Sequence, residues 1–159
     1  MKRPLDRIDS RILAELAKDG RQSNKELAAR IDLAPSSCLE RVRRLRAEGV
    51  IRGFHAEISA EALGIGIQAI VAIRLHLHSA DLARAFLESM EKLPEVIWAA
   101  HLAGENDYLL HVAVADVAHL RDFTLDRLTA RDEVQHVETA LIFEQSRRWQ
   151  LPDYTSPAA

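Results

Sequence analysis

An α+β chain in two parts, three helices and a short strand through residue 57 and a βαββαβ sheet from residue 67 onward, is what the sequence predicts. Three observations carry that reading. Apolar residues recur at helical spacing near the start of the chain and alternate as in strands from residue 67. Charge divides in the same place: residues 1–52 hold 13 Lys and Arg against 8 Asp and Glu, whereas residues 53–159 hold 8 against 16. The overall charge of -3 conceals this contrast between a basic part suited to a polyanion and an acidic part with another task.

In the basic part, Asp6 can cap a helix whose apolar positions are Ile8, Ile12, Leu13 and Leu16, with Asp9 in the first turn where the helix dipole favours an anion. Asp19-Gly20 ends it. Ser23 followed by Glu26 has capping-box spacing and predicts a second, short helix running to about Ile31. Pro35 then suits the first position of a third helix, because its fixed φ is already helical and its missing N–H has no partner there. Two helices joined by so short a turn form a helix-turn-helix. On the third helix Cys38, Leu39, Val42 and Leu45 fall on one side, and Ser36, Ser37, Glu40, Arg41, Arg43 and Arg44 occupy the rest. Small hydroxyls can approach base edges, glutamate accepts from cytosine, and arginine forks onto guanine or clamps phosphate, so these six are the candidate DNA-contacting residues. Cys38, alone on the apolar side, reads as a small core hydrophobe. Gly49 to Glu57 reads as a short strand acting as wing or linker, and residues 58–66 as the linker between domains.

From Ile67 to Leu77 the alternation predicts a strand with Ala69, Val71, Ile73, Leu75 and Leu77 on one face. Ser79 or Ala80 opens a helix that stops before Pro94. Val96–Ala103 and Tyr108–Val114 read as strands joined by Gly104-Glu105-Asn106-Asp107, Asp116 caps another helix, and Val134–Glu144 is the last strand. This order is ferredoxin-like. Two helices cover one face of such a sheet, yet Ile70, Ala72, Ile97, Ala99, Leu109, Ala113, Ala140 and Ile142 are expected on the other. A monomer would expose that apolar patch, which predicts a homodimer presenting two helix-turn-helix units.

The N-terminus has no signal-peptide pattern and no apolar run is long enough to span a membrane, which predicts a cytoplasmic protein with no membrane partner. A single cysteine excludes an internal disulfide and a cysteine-based zinc cluster. All seven histidines follow residue 53, and a hairpin centred near Asn106 would make His101 and His111 cross-strand neighbours. That leaves a metal-responsive regulator as an alternative, although scattered surface histidines are the simpler reading and no metal site is assigned. Trp98 and Trp149 read as packing residues. No nucleophile elbow or phosphate loop is present, so no catalytic residues are assigned and a dimeric βαββαβ enzyme is the remaining alternative.

Leu5-Asp6-Arg7-Ile8-Asp9, Asp19-Gly20-Arg21, Cys38-Leu39-Glu40-Arg41-Val42-Arg43-Arg44-Leu45 and Gly104-Glu105-Asn106-Asp107-Tyr108-Leu109-Leu110 together resemble the feast/famine (Lrp/AsnC) transcriptional regulators over essentially the whole chain. The resemblance implies an N-terminal winged helix-turn-helix and a ligand-sensing domain that dimerises through its sheet. It implies double-stranded DNA as partner, assembly to tetramers or octamers, and a small effector, commonly an amino acid, with no other cofactor. The effector is then expected at Gly104, Asn106, Asp107 and Tyr108, with Thr139 on the last strand. Asp32 stands where the family usually has glycine, Ala34 where it usually has a capping serine, and Glu105 where a shorter acid is common.

Overall fold

A computed structural model describes residues 4–76 and 79–154, which form two compact units. One comprises the chain through Glu57 together with the segment from Ser146 onward; the other is Ile58–Gln145. Grouping of the C-terminal segment with the helical unit is not visible in periodicity, because its contacts are distant in the chain: Ser10 Oγ donates to the Asp153 carboxylate.

Local chemistry sets the first three helices. α1 (Arg7–Lys18) begins at Asp6, whose carboxylate accepts from the N–H groups of Ile8 and Asp9, while the Asp9 carboxylate accepts from the Asp6 N–H. Both acids thus satisfy orphan donors in a reciprocal cap. Ser23 and Glu26 do the same for α2 (Asn24–Arg30). In the turn that follows, Asp32 adopts φ 57°, the left-handed conformation glycine would take without strain and aspartate tolerates better than most residues. α3 (Pro35–Ala47) starts on its proline and receives no side-chain cap from Ala34, but the Asn24 amide donates to the Pro35 carbonyl at 2.7 Å and ties the two helices together. Ile12, Leu27, Ala28, Ile31, Cys38 and Leu45 form the buried centre. Burial also pushes the Cys38 thiol pKa up, as fits a small hydrophobe.

Two expectations change here. Leu39 is 38% exposed rather than part of the apolar side, because it lies well around the helix from Cys38 and Leu45. The strand expected over Gly49–Glu57 is not formed. Val50 and Ile51 instead donate their N–H groups to the Leu45 carbonyl and pack on the helical core, closing α3. The rest of that segment has no strand beside it among the described residues, and a lone extended segment makes no ladder.

The second unit is a four-stranded antiparallel sheet in the order β2-β3-β1-β4, from β1 (Ile67–Leu75), β2 (Val96–His101), β3 (Tyr108–Val114) and β4 (Val134–Leu141). α4 (Ala80–Met90), capped by Ser79, and α5 (Val117–Phe123), capped by Asp116, cover one face, and α5 continues as a wider turn over Thr124–Thr129. The core between layers joins Ala69, Val71, Ile73 and Leu75 to Leu110, Val112, Phe86, Met90, Phe123 and Leu128. All four strands are present, but β2 and β4 end earlier than expected; Leu77, the expected end of β1, lies outside the described residues. Among the described residues no helix is long and apolar enough to cross a membrane.

Pairing register corrects two details. His101 faces Tyr108 and Trp98 faces His111, so the hairpin is centred between Gly104 and Glu105, not near Asn106, and the two histidines are not cross-strand neighbours. A register irregularity between Val96 and Trp98 also moves Ala99 onto the core face and puts Trp98 and Ala100 outside. The outer face therefore carries Ile70, Ala72, Trp98, Ala100, Leu109, Ala113, Ala140 and Ile142.

Candidate functional site

On α3, Ser36, Ser37, Glu40 and Arg43 are exposed, and helical spacing sets Ser36, Glu40 and Arg43 in one outward stripe. Arg46 is exposed one turn beyond Arg43; its three-residue spacing from Arg43 is the signal that could have included it among the candidates. Ser37, Glu40, Arg41 and Arg44 line an open depression of about 440 Å3 beside that stripe.

Arg41 and Arg44 differ from the other candidates. Arg41 donates to Asp6 at 2.7 Å and to Asp9 at 2.8 Å, and Arg44 donates to both Asp9 oxygens at 2.7 and 2.8 Å. Asp9 is 1% exposed, so its charge is stabilised by these guanidinium groups and not by water. The two arginines consequently hold α3 against the start of α1. Replacing either with alanine would not leave the fold untouched, contrary to what the helical wheel alone suggests, since it removes a partner from a buried carboxylate.

The same cluster responds to acid. The hydrogen bond from Arg41, helped by the Asp9 N–H, lowers the Asp6 pKa from 3.8 to about 2. A carboxyl with a lower pKa folded than unfolded contributes its stability above the unfolded value and loses it as pH falls through the folded one. Wild-type melting temperature should therefore fall as pH drops from about 4 to about 2, and Asp6→Asn should flatten that part of the profile. Equal pH dependence in both proteins, followed by circular dichroism, would assign acid sensitivity to other carboxyls.

The loop between β2 and β3 brings together only part of the expected effector set. Asp107 accepts from the Leu75 N–H at 2.8 Å through its carboxylate and donates its own N–H to the Ile73 carbonyl at 2.9 Å, anchoring the loop to β1. Tyr108 is fully buried; its hydroxyl donates to the Ala83 carbonyl and its ring packs on Phe86 and His101. Burial, with the Asp107 charge nearby, raises its pKa. It is a core residue that shapes the loop from below. Gly104 has no positive φ and a side chain there would meet nothing within 4 Å, so neither backbone conformation nor close approach requires glycine. Asn106 is partly exposed in the loop. Thr139 pairs with Val71 on the far side of β1, two strands or about 10 Å across the sheet from β3, and is not gathered with the loop.

Against known proteins, residues 5–52 match a winged helix-turn-helix DNA-binding family and residues 68–149 match the Lrp/AsnC ligand binding domain. The HTH-type transcriptional regulator AldR of Mycolicibacterium smegmatis is 42% identical over 145 residues, 91% of this chain and 85% of that protein. The leucine-responsive regulatory protein of Escherichia coli is 37% identical over 150 residues, 92% of each. A solved transcriptional regulator of Neisseria meningitidis, in complex with L-methionine, is similar with a TM-score of 0.86 at 34% identity, covering 93% of this chain and 96% of that one.

Proposed function

The chain belongs to the Lrp/AsnC family of DNA-binding transcriptional regulators, and on that premise we propose that an amino acid tunes its DNA binding through a dimer packed sheet to sheet. It is a regulator with a small-molecule effector domain, and its relatives are regulators and not enzymes. The observation that carries the DNA reading is the outward stripe of Ser36, Glu40 and Arg43 on a helix whose other side is locked into a capped helical core. Arg43, exposed and outward, is the candidate to read a base; Arg41 and Arg44 lie at the flank, where their ion pairs with Asp9 position the helix.

An amino acid as effector is supported by the L-methionine of the Neisseria meningitidis regulator and by the naming of the Escherichia coli relative as leucine-responsive. A sheet-to-sheet dimer is supported by the apolar outer face, and assembly of such dimers into tetramers or octamers follows the family pattern. The cytoplasm is the compartment this reading requires. The metal-responsive alternative draws no support from the pairing, in which His101 and His111 are not opposite one another.

Selection of genomic fragments with the full-length protein supplies the operator for the test. On it, Arg43→Ala should weaken binding by about 1–3 kcal/mol, concentrated at one base position, with the melting temperature unchanged. Arg44→Ala should instead lower the melting temperature. Wild-type affinity for Arg43→Ala would move the recognition stripe elsewhere on α3. Repeating the titration with each L-amino acid tests the effector: a panel that changes neither affinity nor oligomer size removes the amino-acid reading.

A further inference from the structure

Arg74 projects from the outer face of β1, one residue beyond the last β1–β3 pair, Ile73 with Tyr108. It therefore borders the loop, at the rim of the sheet and away from the apolar centre of that face. Its Nε donates to the Glu105 carbonyl at 3.0 Å and its Nη2 to the Glu105 carboxylate at 2.7 Å. The backbone on both sides of Arg74 is fixed, because Asp107 bonds to Ile73 and to Leu75. Glu105, by contrast, has a side chain 82% exposed, and the space beside its neighbour Gly104 is open. A planar guanidinium seated on rigid strand and satisfied by a solvent-exposed loop carboxylate is a carboxylate site with an internal occupant.

We propose that Arg74 binds the α-carboxylate of the amino-acid effector, and that Glu105 holds that position in the effector's absence as a tethered competitor. The proposal rests on the amino-acid reading above. An exposed ion pair contributes little net stability, so exchange for a free carboxylate is inexpensive. Charge is conserved in the exchange: the displaced Glu105 carboxylate stands beside the ammonium group the ligand brings. Glu105 and Asp107 share one short loop, so the exchange alters the loop at the rim where a second sheet would pack, giving the ligand a differential interaction with two assemblies.

The experiment uses the full-length protein and calorimetric titration of the twenty L-amino acids, followed by the tightest binder and its α-carboxamide, which keeps the ammonium and side chain but lacks the negative charge. Wild type should prefer the acid. Arg74→Gln should weaken the acid by about tenfold or more and leave the amide within about twofold, erasing the preference. Glu105→Gln, at an exposed position, should tighten the acid by about twofold to fivefold. An amino acid that binds wild type and keeps its preference in Arg74→Gln overturns the role of Arg74 while the amino-acid reading stands. Unchanged affinity in Glu105→Gln overturns the competitor, and that arm remains decisive if Arg74→Gln folds poorly. Failure of every amino acid to bind wild type defeats both readings.

Discussion

Asp9→Asn should cost the DNA-binding unit roughly 3 kcal/mol. The carboxylate is 1% exposed, accepts from Arg41 and Arg44 at 2.7–2.8 Å, and closes the cap on α1 through the Asp6 N–H. An amide of the same shape keeps one acceptor but turns an N–H donor toward guanidinium donors and removes the charge that balances them. Breaking a buried pair from one side costs about 3–5 kcal/mol, and the low end applies because the arginines keep 24% and 30% of their side-chain exposure. Thermal unfolding should show a drop of about 10 °C or more in the helical unit. A loss below about 1 kcal/mol would mean that water, and not Asp9, satisfies the two arginines.

Leu109→Arg should convert the proposed dimer to monomers and lower operator affinity by about a hundredfold or more, since a linked pair of half-site readers gains that much from effective concentration. Leu109 lies on the outer face between Ala100 and Ala72, so it is the bulkiest group in its row of that apolar surface. A buried, unpaired guanidinium there would be strongly unfavourable in a dimer, while in a monomer it reaches solvent. Light scattering and anisotropy titration read the two effects separately. A variant that keeps the wild-type oligomer would assign self-association to another surface.

The features legible in the sequence were those decided within a few residues. Asp6, Ser23, Ser79 and Asp116 all cap the helices expected of them, and Pro35 opens α3, because each satisfies or avoids a backbone donor in its own first turn. Alternation likewise placed β1 and β3. Features fixed by distant partners were not legible. Asp9 lies more than thirty residues from Arg41 and Arg44, so nothing in the helical periodicity of α3 marks those arginines as anchored. The irregularity near Ile97, which turns Trp98 outward and Ala99 inward, depends on how β2 meets β3. Gly49–Glu57 has the composition of a strand, but composition supplies no neighbour to pair with. At the loop between β2 and β3, Tyr108 is drawn into the core by Phe86 and Ala83, partners no local pattern indicates.

The arginine–aspartate cluster at the base of α3 also changes what the helix can offer a polyanion. Among the described residues Arg41 and Arg44 are engaged by the carboxylates of Asp6, Asp9 and, at 4.0 Å, Glu48, so their charge is already balanced within the chain before DNA arrives. Counterion release scales with the phosphates that a protein's unbalanced cations neutralise, and an arginine already neutralised by its own chain contributes little to it. The ionic-strength dependence of binding should thus reflect Arg43, Arg46 and other unpaired cations more than the full arginine count of α3. What the clamped pair brings is preorganisation: rotamer entropy of up to about 2 kcal/mol per arginine is lost during folding and not at the operator. Discrimination between sequences should therefore persist, in titrations at rising salt, where simple charge attraction has faded.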